Sequence, residues 1–253
     1  MRILLINPNT SPGITALLDA AARPALAAGT ELVCTTATRG VPYIASRSEA
    51  ALAAVSVLET LAAHHAGFDA AVVAAFGDPG LGAARELFPI PVVGLAEAGM
   101  LTACMLGARF GIVTFSRSLE AWYRECVAWH GLEGRCAGIF ALRSGFTAID
   151  TVGTEQADAL VSLAATAVAA GSDVVVLAGA PLSGLAALVR PRIEVPVVDC
   201  AVAAVKQAEA LVALNPAEPR AGSFKRPGPK PATGVEATLA AWIAHEDQDP
   251  TRS

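Results

Sequence analysis

Aromatic residues are scarce in this chain: three Trp, two Tyr and eight Phe make up 5% of 253 residues. The 54% apolar content therefore comes mostly from Ala, Val and Leu, a composition suited to Ala-rich helices packed on Val-rich strands. Charge is sparse as well, at 16% of residues with a net value of −5 and no run of one sign. With no basic face to displace condensed counterions, nucleic acid is excluded as a partner. The five cysteines (Cys34, Cys104, Cys126, Cys136, Cys200) are odd in number and form no C-x-x-C pair. That pattern predicts free thiols in a reducing compartment, hence a cytoplasmic protein. No long apolar run is present. The first one ends at Asn7-Pro8, too short for a signal core or a membrane span. The four histidines form no metal-ligand spacing, and phosphate-loop and dinucleotide fingerprints are missing, so neither a metal nor a cofactor is expected.

What is present is a sequence written twice. The segment from Asp69 to Leu81 aligns without a gap with that from Asp173 to Leu185. Likewise, Ile90-Pro-Val-Val-Gly-Leu95 answers Val195-Pro-Val-Val-Asp-Cys200, and the run from Arg2 to Ser11 answers that from Arg109 to Ser118. Short apolar runs alternate with longer Ala/Leu/Glu stretches, the pattern of βα units around parallel sheets buried on both faces. Eight strands are expected, over residues 2–6, 31–36, 70–76, 91–95, 110–115, 136–142, 173–179 and 196–200. The fold class is α/β, with two pseudo-twofold-related domains, each a four-stranded parallel sheet flanked by helices. Residues 1–98 with 215–253 would form the first domain and residues 99–214 the second. The Pro-rich stretch from Pro219 to Gly234 would carry the chain back to the first domain, a helix would follow over Val235–His245, and Glu246–Ser253 would fray.

In parallel sheets ligands bind beyond the carboxyl ends of the strands. That rule selects Asn7, Thr10, Ser11, Thr38, Tyr43, Phe76, Gly77, Asp78 and Glu97 in the first half. In the second it selects Ser116, Arg117, Ser118, Arg143, Gly179, Ala180, Pro181, Ser183 and Asp199. Asn7-Pro-Asn-Thr-Ser11 offers an amide, hydroxyls and helix-terminal N–H groups suited to a carboxylate or carbonyl oxygen, or a simple helix cap. Asp78, in a sharp turn before the helix near Leu81, is either that helix's cap or a polar group aimed into the cleft. Trp122, Tyr123, Cys126 and Trp129 share one helix face and read as packing.

The runs NPNTS (7–11), FGDPGL (76–81), VVGLAEA (92–98) and the PKPATG ending at Gly234, taken in order, resemble the Asp/Glu/hydantoin racemase superfamily, most of all its hydantoin and allantoin racemase branch. The resemblance implies two lobes, a small-molecule cleft on the pseudo-twofold axis and homo-oligomers. It also implies one cysteine at the end of the third strand of each half, one thiolate removing a proton α to a carbonyl while the opposite thiol protonates the other face. Carried onto this sequence, those positions fall on Ala75 and Gly179.

Three readings follow. In the first, a small carboxylate or hydantoin-like ureide undergoes hydrolysis or elimination, with Asp78, Glu97 and Tyr43 as acid–base groups. There Asn7, Thr10, Ser11, Ser116 and Ser118 would hold oxyanions, with Ala75, Phe76, Gly77, Gly179, Ala180 and Pro181 around the ligand. In the second, the chain is a catalytically silent small-molecule binder. The third is a racemase with a displaced thiol, for which Cys200 is the candidate.

Overall fold

Each of the eight apolar runs is a strand in the computed structural model, which describes residues 1–143, 148–149 and 151–246. The first half contains β1 (Arg2–Asn7), α1 (Pro12–Ala22), β2 (Glu31–Thr36), α2 (Arg47–His64), β3 (Ala70–Val73), α3 (Leu81–Leu87), β4 (Val92–Gly94) and α4 (Leu95–Leu106). The second contains β5 (Phe110–Thr114), α5 (Glu120–Trp129), β6 (Cys136–Ala141), α6 (Val152–Glu155), α7 (Ala157–Ala169), β7 (Val174–Ala178), α8 (Leu185–Val189), β8 (Val197–Asp199) and α9 (Cys200–Leu214). A last helix, α10 (Ala237–Ile243), follows the Pro-rich stretch.

The two sheets have the same topology, β2-β1-β3-β4 and β6-β5-β7-β8, and every pairing is parallel. Register confirms the duplication: Val73 pairs with Gly94 in the first sheet and Leu177 with Asp199 in the second. β3 stops at Val73 rather than at residue 76, because the chain there enters a turn with Gly77 at φ +108° and Asp78 at φ +48°.

Helix ends follow local chemistry. Ser11 caps α1 ahead of Pro12, accepting from the Ile14 N–H at 3.5 Å. Ser46 caps α2 by accepting from Glu49 N–H, while the Glu49 carboxylate accepts from Ala45 N–H at 2.6 Å. Asn215, left-handed at φ +48°, ends α9 before Pro216.

The duplication suggests two modest cores, but one cluster of buried side chains runs through both sheets. The reason is that α4 and α9 pack on each other across the pseudo-twofold axis, so close that a Cβ on Gly99 would lie 2.5 Å from the Cys200 sulfur. A smaller cluster lies on the other face of the first sheet, where α10 adds Leu239, Trp242 and Ile243. Trp242 stacks on Phe88 (5.6 Å between centroids), meets His65 edge-on (4.2 Å), and donates its indole N–H to Leu87 O at 2.9 Å. Arg226, from the Pro-rich stretch, lies 4.1 Å above the Trp242 ring. Among the described residues no helix is long and apolar enough to cross a membrane. The expected fraying of the last residues falls, from residue 247 on, outside the described residues.

Candidate functional site

β3 and β7 hold equivalent places in the two sheets, and the residues just beyond them meet between the halves. Ala75 and Gly179 line one shared cavity there, together with Asn9, Tyr43, Ile44, Phe76, Phe115, Trp122, Tyr123, Ala180 and Pro181. Its volume is about 30 Å³, room for little more than one or two water molecules. Among the described residues, no charged side chain lines it.

Five of the chain's thirteen aromatic residues, both tyrosines among them, gather around this space. Phe76 and Tyr123 lie 4.5 Å apart, Tyr43 and Phe115 5.8 Å, and Trp122 and Tyr123 5.6 Å between centroids. Gly179 has φ +113°, a conformation that L side chains rarely adopt, and a Cβ added to it would come within 2.6 Å of Phe115 Cε1. The same Cβ would lie 3.4 Å from the Tyr123 hydroxyl. The space a second-half side chain would enter is thus held by a phenyl ring and a phenol. Burial pushes the Tyr43 phenol up to about 12, opposed by the neighbouring Ser118 and Ser116 hydroxyls. Burial raises Tyr123 well above its ordinary value too, with the nearby Tyr43 adding to the shift. Both phenols are therefore proton donors at neutral pH, and neither is a ready base.

The NPNTS turn is built from within. Asn7 is fully buried, and its amide nitrogen donates to Asn9 Oδ1 (2.9 Å), Ser11 O (3.1 Å) and Thr15 Oγ1 (2.9 Å) while its Oδ1 accepts from Asn9 N–H (3.2 Å). Asn7 thus positions Asn9, which is the residue of this run that lines the cavity. Thr10 donates its N–H to Val41 O at 2.9 Å, tying the turn to the segment that carries Tyr43. Ser11 is the α1 cap. On the second half, Ser116 and Ser118 share a hydrogen bond of 2.9 Å at the rim, outside the lining. Gly77 is also outside the lining, packed so closely beneath Trp122 that any Cβ would overlap the indole.

Asp78 and Glu97 do not face the cavity. Asp78 caps neither its own helix nor the cleft: its side chain is fully buried, and its carboxylate accepts from Ala96 N–H and Glu97 N–H, both at 2.8 Å, in the first turn of α4. His130, just past α5, bonds the same carboxylate through Nε2 at 3.0 Å. Burial raises the Asp78 acid above the usual range, opposed by these three contacts. Glu97 is held in a bidentate pair by Arg85 and lies 3.8 Å from His130 Nδ1. The network joins a second-half helix to the first half, beside a bidentate Arg47–Glu125 pair that also crosses between them.

Cys200 does not reach the cavity either. It opens α9 rather than ending β8, and its thiol donates to Leu177 O at 3.3 Å against Gly99. Of the expected site residues, Tyr43, Ala75, Phe76, Gly179, Ala180 and Pro181 come together; Asn9, Ile44, Phe115, Trp122 and Tyr123 complete the lining without having been selected as ligand contacts. A signal existed for Phe115: it directly follows β5, the same strand-end position that singled out its polar neighbour Ser116.

The family model described as Asp/Glu/Hydantoin racemase matches residues 3–208. A hydantoin racemase of Paenarthrobacter aurescens is 35% identical over 233 residues, 91% of this chain and 99% of that protein. Among solved structures, allantoin racemase from Klebsiella pneumoniae superposes with a TM-score of 0.89 at 37% identity, covering 94% of this chain and 98% of that one. Allantoin racemase from Pseudomonas fluorescens gives 0.84 at 31% identity, covering 92% and 100%.

Proposed function

This chain belongs to the Asp/Glu/hydantoin racemase family, and we propose that it binds a neutral, flat cyclic ureide of the hydantoin or allantoin kind between its halves without a two-thiol proton relay. The observation that carries the reading is the pair Ala75 and Gly179: they line one cavity from opposite sides, and neither side chain can move a proton. Relocated acid–base groups do not fill the role. Asp78 and Glu97 are engaged at the α4 terminus, and the Cys200 thiol is turned away. Hydrolysis or elimination by those carboxylates thus has no geometric support.

The ligand class follows from the lining. A dianionic or carboxylate ligand would have to leave water for a lining that holds no cationic side chain among the described residues, which costs several kcal/mol. A ureide carries its own N–H and C=O groups, which the Asn9 amide and the two phenols can pair, and its ring can lie against Phe76, Phe115 and Trp122. Binding requires the cavity to widen, because about 30 Å³ does not admit such a ring.

The test is calorimetry with allantoin, 5-substituted hydantoins and, as charged controls, maleate and a substituted malonate, paired with NMR of α-proton exchange in D2O. Ureide binding without protein-dependent exchange is the expected result. Failure of every ureide to bind would discard the ligand class, and protein-dependent exchange would discard the silent site.

A further inference from the structure

Beside the cavity, behind Trp122, three side chains of different chemistry converge: a carboxylate oxygen of Asp78, the Cys126 sulfur and a ring nitrogen of His130 all lie within 4.8 Å of one another. We propose that these three residues form a binding site for a borderline-soft divalent cation of the zinc class, one that staples α5 of the second half to the turn after β3 of the first.

Five points build the case. Cys126 and His130 are four apart, so one turn of α5 and its C-terminal extension presents both donors on one face. The third donor arrives from the other half, held by the two N–H groups of α4. Oxygen, nitrogen and sulfur together suit zinc and its neighbours, whereas calcium and magnesium prefer oxygen alone. Tetrahedral zinc places its ligands roughly 3.3–3.8 Å apart, so the cluster needs only a small contraction. Finally, the other His130 nitrogen, Nδ1, faces the Glu97 carboxylate at 3.8 Å, which in turn is fixed by Arg85. A carboxylate behind the imidazole is the usual device for orienting a metal-bound histidine.

There is also a route in. A solvent-facing hollow of about 270 Å³ is lined by Asp78 and Cys126 along with Arg47, Trp122, Glu125 and Trp129. It supplies both an entry path and water for the fourth ligand position. On binding, the Cys126 S–H bond breaks, a sulfur–metal bond forms, and the proton leaves to solvent. The His130 Nε2–Asp78 hydrogen bond gives way to the ion between them.

The experiment uses the full chain, stripped with chelator and titrated with cobalt(II) and zinc(II) chloride. The expected result is one equivalent bound, a thiolate-to-cobalt charge-transfer band, and displacement of cobalt by zinc. Cys126→Ser removes the band and His130→Ala removes tight uptake, while Glu97→Gln weakens affinity by about 10- to 100-fold and Cys200→Ser changes nothing. In the wild type, bound zinc protects the Cys126 thiol from alkylation, as read by peptide mass, which needs no variant to fold. Absence of uptake by the folded chain, uptake that survives both ligand substitutions, or protection of a different cysteine would each overturn the proposal.

Discussion

Asp78 and Asp199 place a carboxylate at the same pseudo-twofold point from different positions in the repeat. Asp78 comes from the turn after β3 and reaches the first turn of α4, where it accepts from Ala96 and Glu97 N–H. Asp199 ends β8 and accepts from Ala201 and Val202 N–H of α9 and from Gly184 N–H at 2.6 Å, in the turn after β7. In register, the partner of Asp199 is Gly94, where an added Cβ would overlap the Asp78 carboxylate. Each half thus ties its third-strand turn to its last helix through one buried acid. The side chain has changed places while the interaction with the helix dipole is kept.

Asp78→Asn and Asp199→Asn are therefore expected to destabilise the fold by about 1–3 kcal/mol each, since an amide presents an N–H where the backbone also presents one. Urea unfolding measures the loss, and Asp78→Asn should leave ureide affinity near that of the wild type. Gly94→Ala should be destabilising as well, through its overlap with Asp78.

Gly179→Ala should cost about 1–3 kcal/mol from its backbone conformation alone, with the encounter with Phe115 adding to it. Phe115→Leu makes room. A double-mutant cycle at 115 and 179 should show the two changes partly compensating; simple additivity would mean that Phe115 does not occupy the side-chain space at 179.

The chain's two tyrosines both line the cavity, so alkaline titration reads the site directly. Tyrosinate absorbance in the folded protein should stay flat past 10 and rise near 12 or at unfolding. The sign follows from linkage. Burial raises the folded values, so this stability is complete below about pH 10 and is lost as pH climbs toward 12. A tyrosinate signal near pH 10 with the fold intact would show the phenols to be solvated.

Trp242→Ala should cost about 3–5 kcal/mol, because it removes the ring that covers Phe88 and His65 and the indole bond to Leu87. The readout is the thermal midpoint. A loss below about 1 kcal/mol, the scale of an ordinary surface substitution, would mean that α10 contributes little to the first-half core.

The strands were legible because a segment buried on both faces has to be an unbroken apolar run, as Val174–Ala178 is. The duplication equates Ala75 with Gly179 and places a site between the halves, and the family resemblance singles out those two positions. The destination of Asp78 was not, since its partners lie 18 and 19 residues ahead in another helix and only the fold brings them near. Phe115 and Tyr123 were passed over as ligand contacts because a search for polar chemistry discards apolar strand ends and aromatic helix faces. Cys126 and His130 stand at a helical spacing visible in the sequence, but their third companion comes from the opposite half.

The interlocked helices α4 and α9 also decide where the protein can yield. Anchored in one continuous interior, they join the halves along a seam that cannot part without exposing apolar surface. Admission of a guest then falls to the rim, the Tyr43–Ile44 stretch ahead of α2 and the Trp122–Tyr123 end of α5. The ion pair between Arg47 and Glu125 joins those two rim elements like a clasp.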